Sequence, residues 1–473
     1  MIQRIDSTVV CLGIPPVRLV DGKTLPTIEP ENRMKILKQI CTSLSVIIVV
    51  AFLLRVWIFW SGQIELRVPI IVVPFGYETG RIAQSIALGK GFSSPLSVES
   101  GPTIWLTPVF PYLLAGVFKL FGVYSYLSLL VITTFDLLIS ALTCIPIFYI
   151  GKKLGGVGLA ALAAWMWVIF PNGILIPIQW VWDTSLSALM AALILWATLA
   201  IRDSKRSRDW IGYGLLWGAG LMVNAAIFSM APFLFLWLAW DLRKQGRKWL
   251  QLPAVAALLM AAVCVPWTVR NYVVFHRVIV FRSNFGLELW LGNNDQVPDT
   301  WAGFLHPNDY EPEREKYVGM GEIAYMDAKE HEAIQFMVSH PRDEMRFFWR
   351  RFIDNWVGAW DPIQDFWYRL SFIRKFNLSA NIFVSLFGLL GILVLSREKN
   401  VFTFPIAMYP LVFPVVYYIT HSSIRYRHPI DPAMIVLAAL AVAYPVRALS
   451  RRNARVPSPD MSAVPAAEGA ATS

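Results

Sequence analysis

The sequence predicts an all-α polytopic membrane protein, with about ten transmembrane helices and a mixed extracytoplasmic loop region. Two observations predict it. Hydrophobic residues make up 56% of the chain and charged residues only 16%, where a soluble domain carries about a quarter. Apolar stretches long enough to cross a bilayer also recur along the chain, and dense Lys/Arg clusters fall after alternate ones. The net charge of +10 therefore reads as a positive-inside bias, not as a nucleic-acid footprint. Of the four cysteines, Cys11 lies near the N-terminus and Cys41, Cys144 and Cys264 lie in or beside apolar segments, so no disulfide framework is indicated.

Taken in order, residues 1–38 are polar and contain Pro15, Pro16, Pro26 and Pro30, the composition of a disordered tail. Arg33, Lys35 and Lys38 flank a first span at 40–60 and place that tail in the cytoplasm. The span lacks a small-residue cleavage site and reads as a retained signal anchor. Trp57 and Trp60 mark its outer belt, and Arg55, one turn inside, is expected to snorkel to headgroups.

Residues 39–269 form the predicted membrane core, with outer loops at 61–125 and 171–183. Spans at 126–150 and 154–170 meet at Gly151-Lys152-Lys153. Another follows Asp183 and ends in the basic stretch 202–208, a hairpin of 210–228 and 231–242 ends in 243–248, and the next span ends at Pro266-Trp267. Asp136, well inside a span, is expected to face the bundle interior and pair with a neighbour. Residues 270–378 then stay polar for roughly a hundred residues, too long for a connector, and read as an extracytoplasmic subdomain. Spans within 379–450 and a second disordered cytoplasmic tail at 451–473 complete the chain.

Within the long loop, Pro341–Val357 has the pattern of a helix, with Pro341 at its first position and Asp343 and Glu344 in its first turn. Met345, Phe348, Phe352 and Trp356 share a face, with Arg346, Arg350 and Arg351 off it. That fits a helix on the membrane surface, or equally one packed on the loop's own core.

The residues that can carry chemistry share the outer side. Glu78, just after the first span, is a carboxylate at the water–lipid boundary, where partial desolvation favours a general base; the plainer role is a helix N-terminal acid favoured by the dipole. Asp183 opens an apolar helix as Asp183-Thr184-Ser185 and suits capping and catalysis alike. Arg270, in Pro266-Trp267-Thr268-Val269-Arg270-Asn271-Tyr272, stands at the outer end of one span. Arg282 follows the β-like run Val278-Ile279-Val280-Phe281, and Arg425 and Arg427 stand in Ile424-Arg425-Tyr426-Arg427-His428-Pro429. The planar guanidinium fork suits phosphate oxygens, so the set suggests a pocket for a phosphate on a lipid; taken singly, each could contact ordinary headgroups.

Several motifs fail. Gly319-Met320-Gly321-Glu322-Ile323-Ala324 has a GxGxxA outline but follows a charged segment, not a strand. No GxxxxGK[ST] loop is present, and His331-Glu332 lacks the second histidine of a zinc helix. The six histidines all fall on the outer side without metal-ligand spacing.

The acid after the first span, the run Gly101-to-Gly122 (GPTIWLTPVFPYLLAGVFKLFG), Asp183, PWTVRNY and the late RYRHP together resemble the GT-C class of membrane glycosyltransferases. The likeness is to bacterial relatives of protein mannosyltransferases and of the lipid A aminoarabinose transferase. It implies a GT-C-like fold in a bacterial inner membrane, both termini cytoplasmic and the active site outside. It also implies transfer of a sugar from a polyprenyl-phosphate donor to a lipid, glycan or protein acceptor. Glu78 then matches the family's first acidic residue, usually an aspartate, and Asp183 the second. Arg270, Arg282, Arg425 and Arg427 would meet the donor phosphate, with Tyr77, Arg81, Asn271 and His428 in supporting places. A divalent metal is compatible with this chemistry, and no cofactor is implied with certainty. Two alternatives stand beside it: a polymerase or ligase of similar fold acting on lipid-linked polysaccharide, and a transporter or flippase, which the nearly charge-free spans disfavour.

Overall fold

The computed structural model describes residues 38–65, 75–179, 181–358 and 372–453. The tail up to residue 37, the tail from 454, residues 66–74 of the loop expected at 61–125, Trp180 and the 359–371 part of the long loop lie outside the described residues. From Thr42 onward the chain is one compact unit. The described residues are helices and connections, with no strand and one isolated bridge, Ser93 to Pro102.

Among the described residues seven helical stretches are long and apolar enough to cross a membrane: Leu44–Ser61, Tyr126–Ile169, Thr184–Ile201, Ala225–Lys244, Gln251–Phe275, Arg374–Arg397 and Ile424–Leu449. Tyr126–Ile169 turns back on itself at Gly155 and Gly156, where Gly156 takes φ +79. Gly151 meets the returning chain so closely that an added methyl would sit 2.9 Å from Ala160 Cα. The sequence reading puts that turn at Gly151-Lys152-Lys153; the lysines instead end the incoming helix, and glycine supplies the left-handed backbone. Val109–Phe121 and Thr403–Ile419 are apolar but shorter. Ser207–Val223 stops at Asn224, whose side chain accepts from Ala226 N and caps a 3-10 turn, Ala225–Met230.

The basic clusters gather at one end of the bundle. Lys153 pairs with Asp203 at 2.7 Å and Arg202 with Asp241 at 2.8 Å. Arg247 Nη1 donates to Arg202 O, and Lys153 and Arg202 both lie over the Phe402 ring. Asp183 precedes and Arg202 follows the same 18-residue helix, Thr184–Ile201, so the two ends stand about 27 Å apart.

Four expectations are corrected. Arg55 does not snorkel: it is fully buried, donating to Ser140 Oγ, Gly173 O and Ala51 O, each at 3.0 Å, and to Trp167 O at 3.3 Å. Helix-end and kink carbonyls inside the bundle satisfy it where lipid headgroups are out of reach. Asp136 is fully buried as expected, yet neither carboxylate oxygen has a hydrogen-bond partner among the described residues. Pro341–Val357 is helical, but its buried residues are Phe347, Arg351, Asn355 and Trp356, while Met345 and Trp349 are exposed. Arg351 is drawn in by Asn293 Oδ1 at 3.1 Å and by the carbonyls of Ile419 at 2.8 Å, Thr300 at 3.2 Å and Gly292. Residues 278–281 form no strand; they fold back along the end of Gln251–Phe275, where Trp267 Nε1 donates to Phe281 O and Asn271 Nδ2 to Ile279 O, both at 2.8 Å.

Candidate active site

Glu78 lies in the first turn of the Tyr77–Ala87 helix. Gly76 starts that helix at φ +66, with its Cα packed so tightly on Trp182 and Val181 O that no side chain fits. Ile82 and Ala83 are buried, fixing the helix face. Asn308 Nδ2 donates to Glu78 Oε1 at 2.8 Å, and Arg81 Nη1 donates to Asn308 Oδ1. An arginine can only donate, so the Asn308 amide is oriented with its NH2 toward Glu78. His306 Nδ1 accepts from Asn308 N at 3.1 Å. The ring proton therefore sits on Nε2, 3.5 Å from Glu78 Oε1. One short segment of the long loop thus holds the carboxylate from two sides.

Asp183 stands at the head of Thr184–Ile201 but makes no side-chain cap bond. Its Oδ2 accepts from Ser187 Oγ at 3.0 Å and Asn224 Nδ2 at 3.1 Å. Burial pushes its carboxyl above the ordinary range, offset in part by Ser187, Arg282, Arg425 and Asn224.

Arg282 and Arg425 both act electrostatically on Asp183 and on Glu288, and Arg425 also feels Glu78. Arg282 has no hydrogen bond or ion pair among the described residues, and it is half-buried. Its backbone is fixed from both sides. Ser283 N donates to Ile104 O at 3.0 Å, and Glu322 collects Ser283 Oγ at 2.6 Å, Ile104 N at 2.8 Å, Tyr317 OH at 2.7 Å and Thr103 Oγ1. Arg425 lies 3.8 Å over the Trp182 ring and donates to Tyr426 OH at 2.9 Å. Glu288, on the Phe285–Gly292 helix, accepts from Asn284 Nδ2 at 2.9 Å. Burial raises its carboxyl, Arg282, His306 and Arg425 lower it, and Glu78 raises it again.

Other residues picked out in the sequence are used elsewhere. Arg270 ties the first outer loop to its span, donating to Thr103 O at 2.8 Å and Phe92 O at 2.9 Å. Asn271 is buried against Ile279 O. Arg427 is fully buried, donating to Asp431 Oδ1, Trp356 O and Ser385 Oγ, each at 2.8 Å. His428 lies 3.2 Å from Asp431 Oδ2 and stacks on Trp167. Tyr77 is exposed. Asn308, His306, Glu288, Trp182 and Tyr426 join this cluster of charges, and none of them is marked by spacing in the sequence. Among the described residues no group of three His, Cys, Asp or Glu converges to hold a metal ion.

Residues 105–268 match the family model of dolichyl-phosphate-mannose-protein mannosyltransferase. The oligosaccharyltransferase of Archaeoglobus fulgidus, tethered with an acceptor peptide containing the NVT sequon, is similar at a TM-score of 0.52 and 16% identity over 87% of this chain and 50% of that one. The same archaeon's AglB in complex with an inhibitory peptide and a dolichol-phosphate gives 0.50 and 16%, over 87% and 51%. The fold is GT-C. This GT-C chain spans about half the length of those archaeal chains. ArnT from Cupriavidus metallidurans bound to undecaprenyl phosphate gives a TM-score of 0.36 and 13% identity, over 87% and 81%. No curated protein matches the chain. The matched family region contains Asp183, while Glu78, Arg282 and Arg425 fall outside it.

Proposed function

We propose that this chain is a membrane glycosyltransferase that takes a sugar from a polyprenyl-phosphate donor and gives it to an acceptor hydroxyl on the extracytoplasmic side of a bacterial inner membrane. The observation that carries the reading is Arg282: a guanidinium with no hydrogen bond or ion pair among the described residues, within electrostatic reach of Asp183, as Arg425 is of Asp183 and Glu78. A phosphate supplies the acceptor oxygens it lacks.

The acceptor oxygen attacks the anomeric carbon as its proton passes to the Glu78 carboxylate, which Asn308 and His306 hold in place. The bond from the anomeric carbon to the phosphate oxygen breaks, and its electron pair leaves with the phosphate. Arg282 and Arg425 stabilise that growing charge without a proton donor. One displacement inverts the anomeric centre. Asp183, held by Ser187 and Asn224, orients the acceptor or the sugar. The basic rim at the opposite bundle end supports the sidedness, since Lys/Arg clusters favour the cytoplasm.

The test is Glu78→Gln, assayed in membranes for sugar release from polyprenyl-phosphate donors. Full activity in that variant removes Glu78 as the base. Absence of any sugar release by the parent protein across donors removes the reading.

A further inference from the structure

Arg425 is held by a one-way chain. Its Nη2 donates to Tyr426 OH at 2.9 Å. The phenol oxygen thereby accepts from Arg425 and is also hydrogen-bonded to His421 Nε2, 2.9 Å away; the Glu288 carboxylate facing Nδ1 favours the tautomer in which the phenol donates to Nε2. His421 then carries its ring proton on Nδ1, which faces Glu288 Oε2 at 3.6 Å, an electrostatic contact too long for a direct hydrogen bond.

Each member is clamped by an aromatic ring. Arg425 lies on Trp182, Tyr426 stacks on Tyr417 at 4.8 Å and an interplanar angle of 3°, and His421 stacks on Trp301 at 5.1 Å and 14°. His421 is buried, and burial together with Arg425 lowers its pKa to about 3, which keeps the ring neutral and one of its nitrogens an acceptor. Arg282 has no such chain among the described residues.

We propose that Tyr426 and His421 are positioning residues that fix the Arg425 guanidinium for a lipid-linked phosphate, with Glu288 closing the chain. The inference rests on the reading of Arg425 as a phosphate group, and the experiment separates the two.

Undecaprenyl phosphate is titrated onto the full-length protein in detergent micelles, alongside steady-state kinetics with a polyprenyl-phosphate sugar. Tyr426→Phe keeps the ring stack and loses one hydroxyl; it is expected to weaken phosphate binding and raise the donor KM about tenfold, with kcat changed less than about threefold. His421→Phe, which keeps a ring against Trp301, is expected to do the same. The double variant is expected to be no weaker than either single one, since the three groups act in series. In an Arg425→Ala background, Tyr426→Phe is expected to add nothing, whereas damage to the fold would add. Wild-type binding in both Tyr426→Phe and His421→Phe, with Arg425→Ala weakened, overturns the chain alone. Wild-type binding in Arg425→Ala overturns the chain together with the phosphate reading.

Discussion

Asn308 Nδ2 lies 2.8 Å from Glu78 Oε1, joining the long polar loop to the first outer helix across 230 residues. The amide cannot flip without losing Arg81, so the Glu78 carboxylate is aimed by a residue far from it in sequence. Glu78→Gln keeps the shape of the side chain and removes the proton acceptor; kcat is expected to fall about 10²–10⁴-fold, with an unchanged melting temperature. Asn308→Ala leaves the carboxylate and loses its aim, and about a tenfold fall in kcat is expected. Initial rates with a polyprenyl-phosphate sugar, beside a thermal melt, check both.

Two arginines that look alike in the sequence should separate in the laboratory. Arg282 makes no bond among the described residues, so Arg282→Ala should weaken donor binding about tenfold or more while leaving stability alone. Arg270 holds Thr103 O and Phe92 O. Its loss should lower stability by about 1.5–3 kcal/mol, the usual worth of bonds to a charged group. Donor affinity and denaturant midpoints measured on the two variants form a crossed comparison, and a reversed pattern overturns the assignment.

The charges that border apolar spans were legible because a charge is costly there and so stands out: the structure couples Arg425 electrostatically to Glu78 and to Asp183, and Arg282 to Asp183. Asn308 was not, because in a polar loop such a residue is ordinary and only long-range folding brings it in; Glu288 is the lone charge of the apolar run Phe285–Gly292, a signal masked by the polar segment around that short helix. Arg427 carries the same local signal as Arg425, two residues away. What separates them is which acceptors surround each after folding: Asp431, Trp356 O and Ser385 for one, an aromatic face and a phenol for the other. Arg351 shows the same limit. Helical periodicity put it off the apolar face, and carbonyls from distant segments made it a buried brace.

Asp183 sets a pH dependence of stability. Burial raises its folded pKa above the unfolded value, so the folded state holds the proton more tightly. That contribution is fully present below the unfolded pKa and is lost as pH rises through the folded one. Asp183→Asn stays neutral and retains an oxygen for Ser187 and an amide in the same place. Its melting temperature is expected to exceed that of the parent near pH 7.5, with the gap closing as pH falls toward about 4. A gap that stays constant over that range contradicts titration of Asp183 in the raised region.

Gly76 links the two acidic loops most directly. It holds φ +66, and a Cβ there would sit 2.8 Å from Trp182 Nε1 and 2.9 Å from Val181 O. Alanine must therefore bear a left-handed backbone, at about 1–2 kcal/mol, and also push away the segment that ends in Asp183. Trp182 carries Arg425 on its face, so the displacement reaches Arg425 as well as the Glu78 helix. The clash itself is confined to Val181 and Trp182, which lie in a connection between helices. Gly76→Ala is accordingly expected to lower kcat/KM by about tenfold or more, while the melting temperature drops only by what the local strain accounts for. Activity that falls merely in proportion to the folded fraction would show that the Gly76–Trp182 contact serves packing and not the alignment of the two carboxylates.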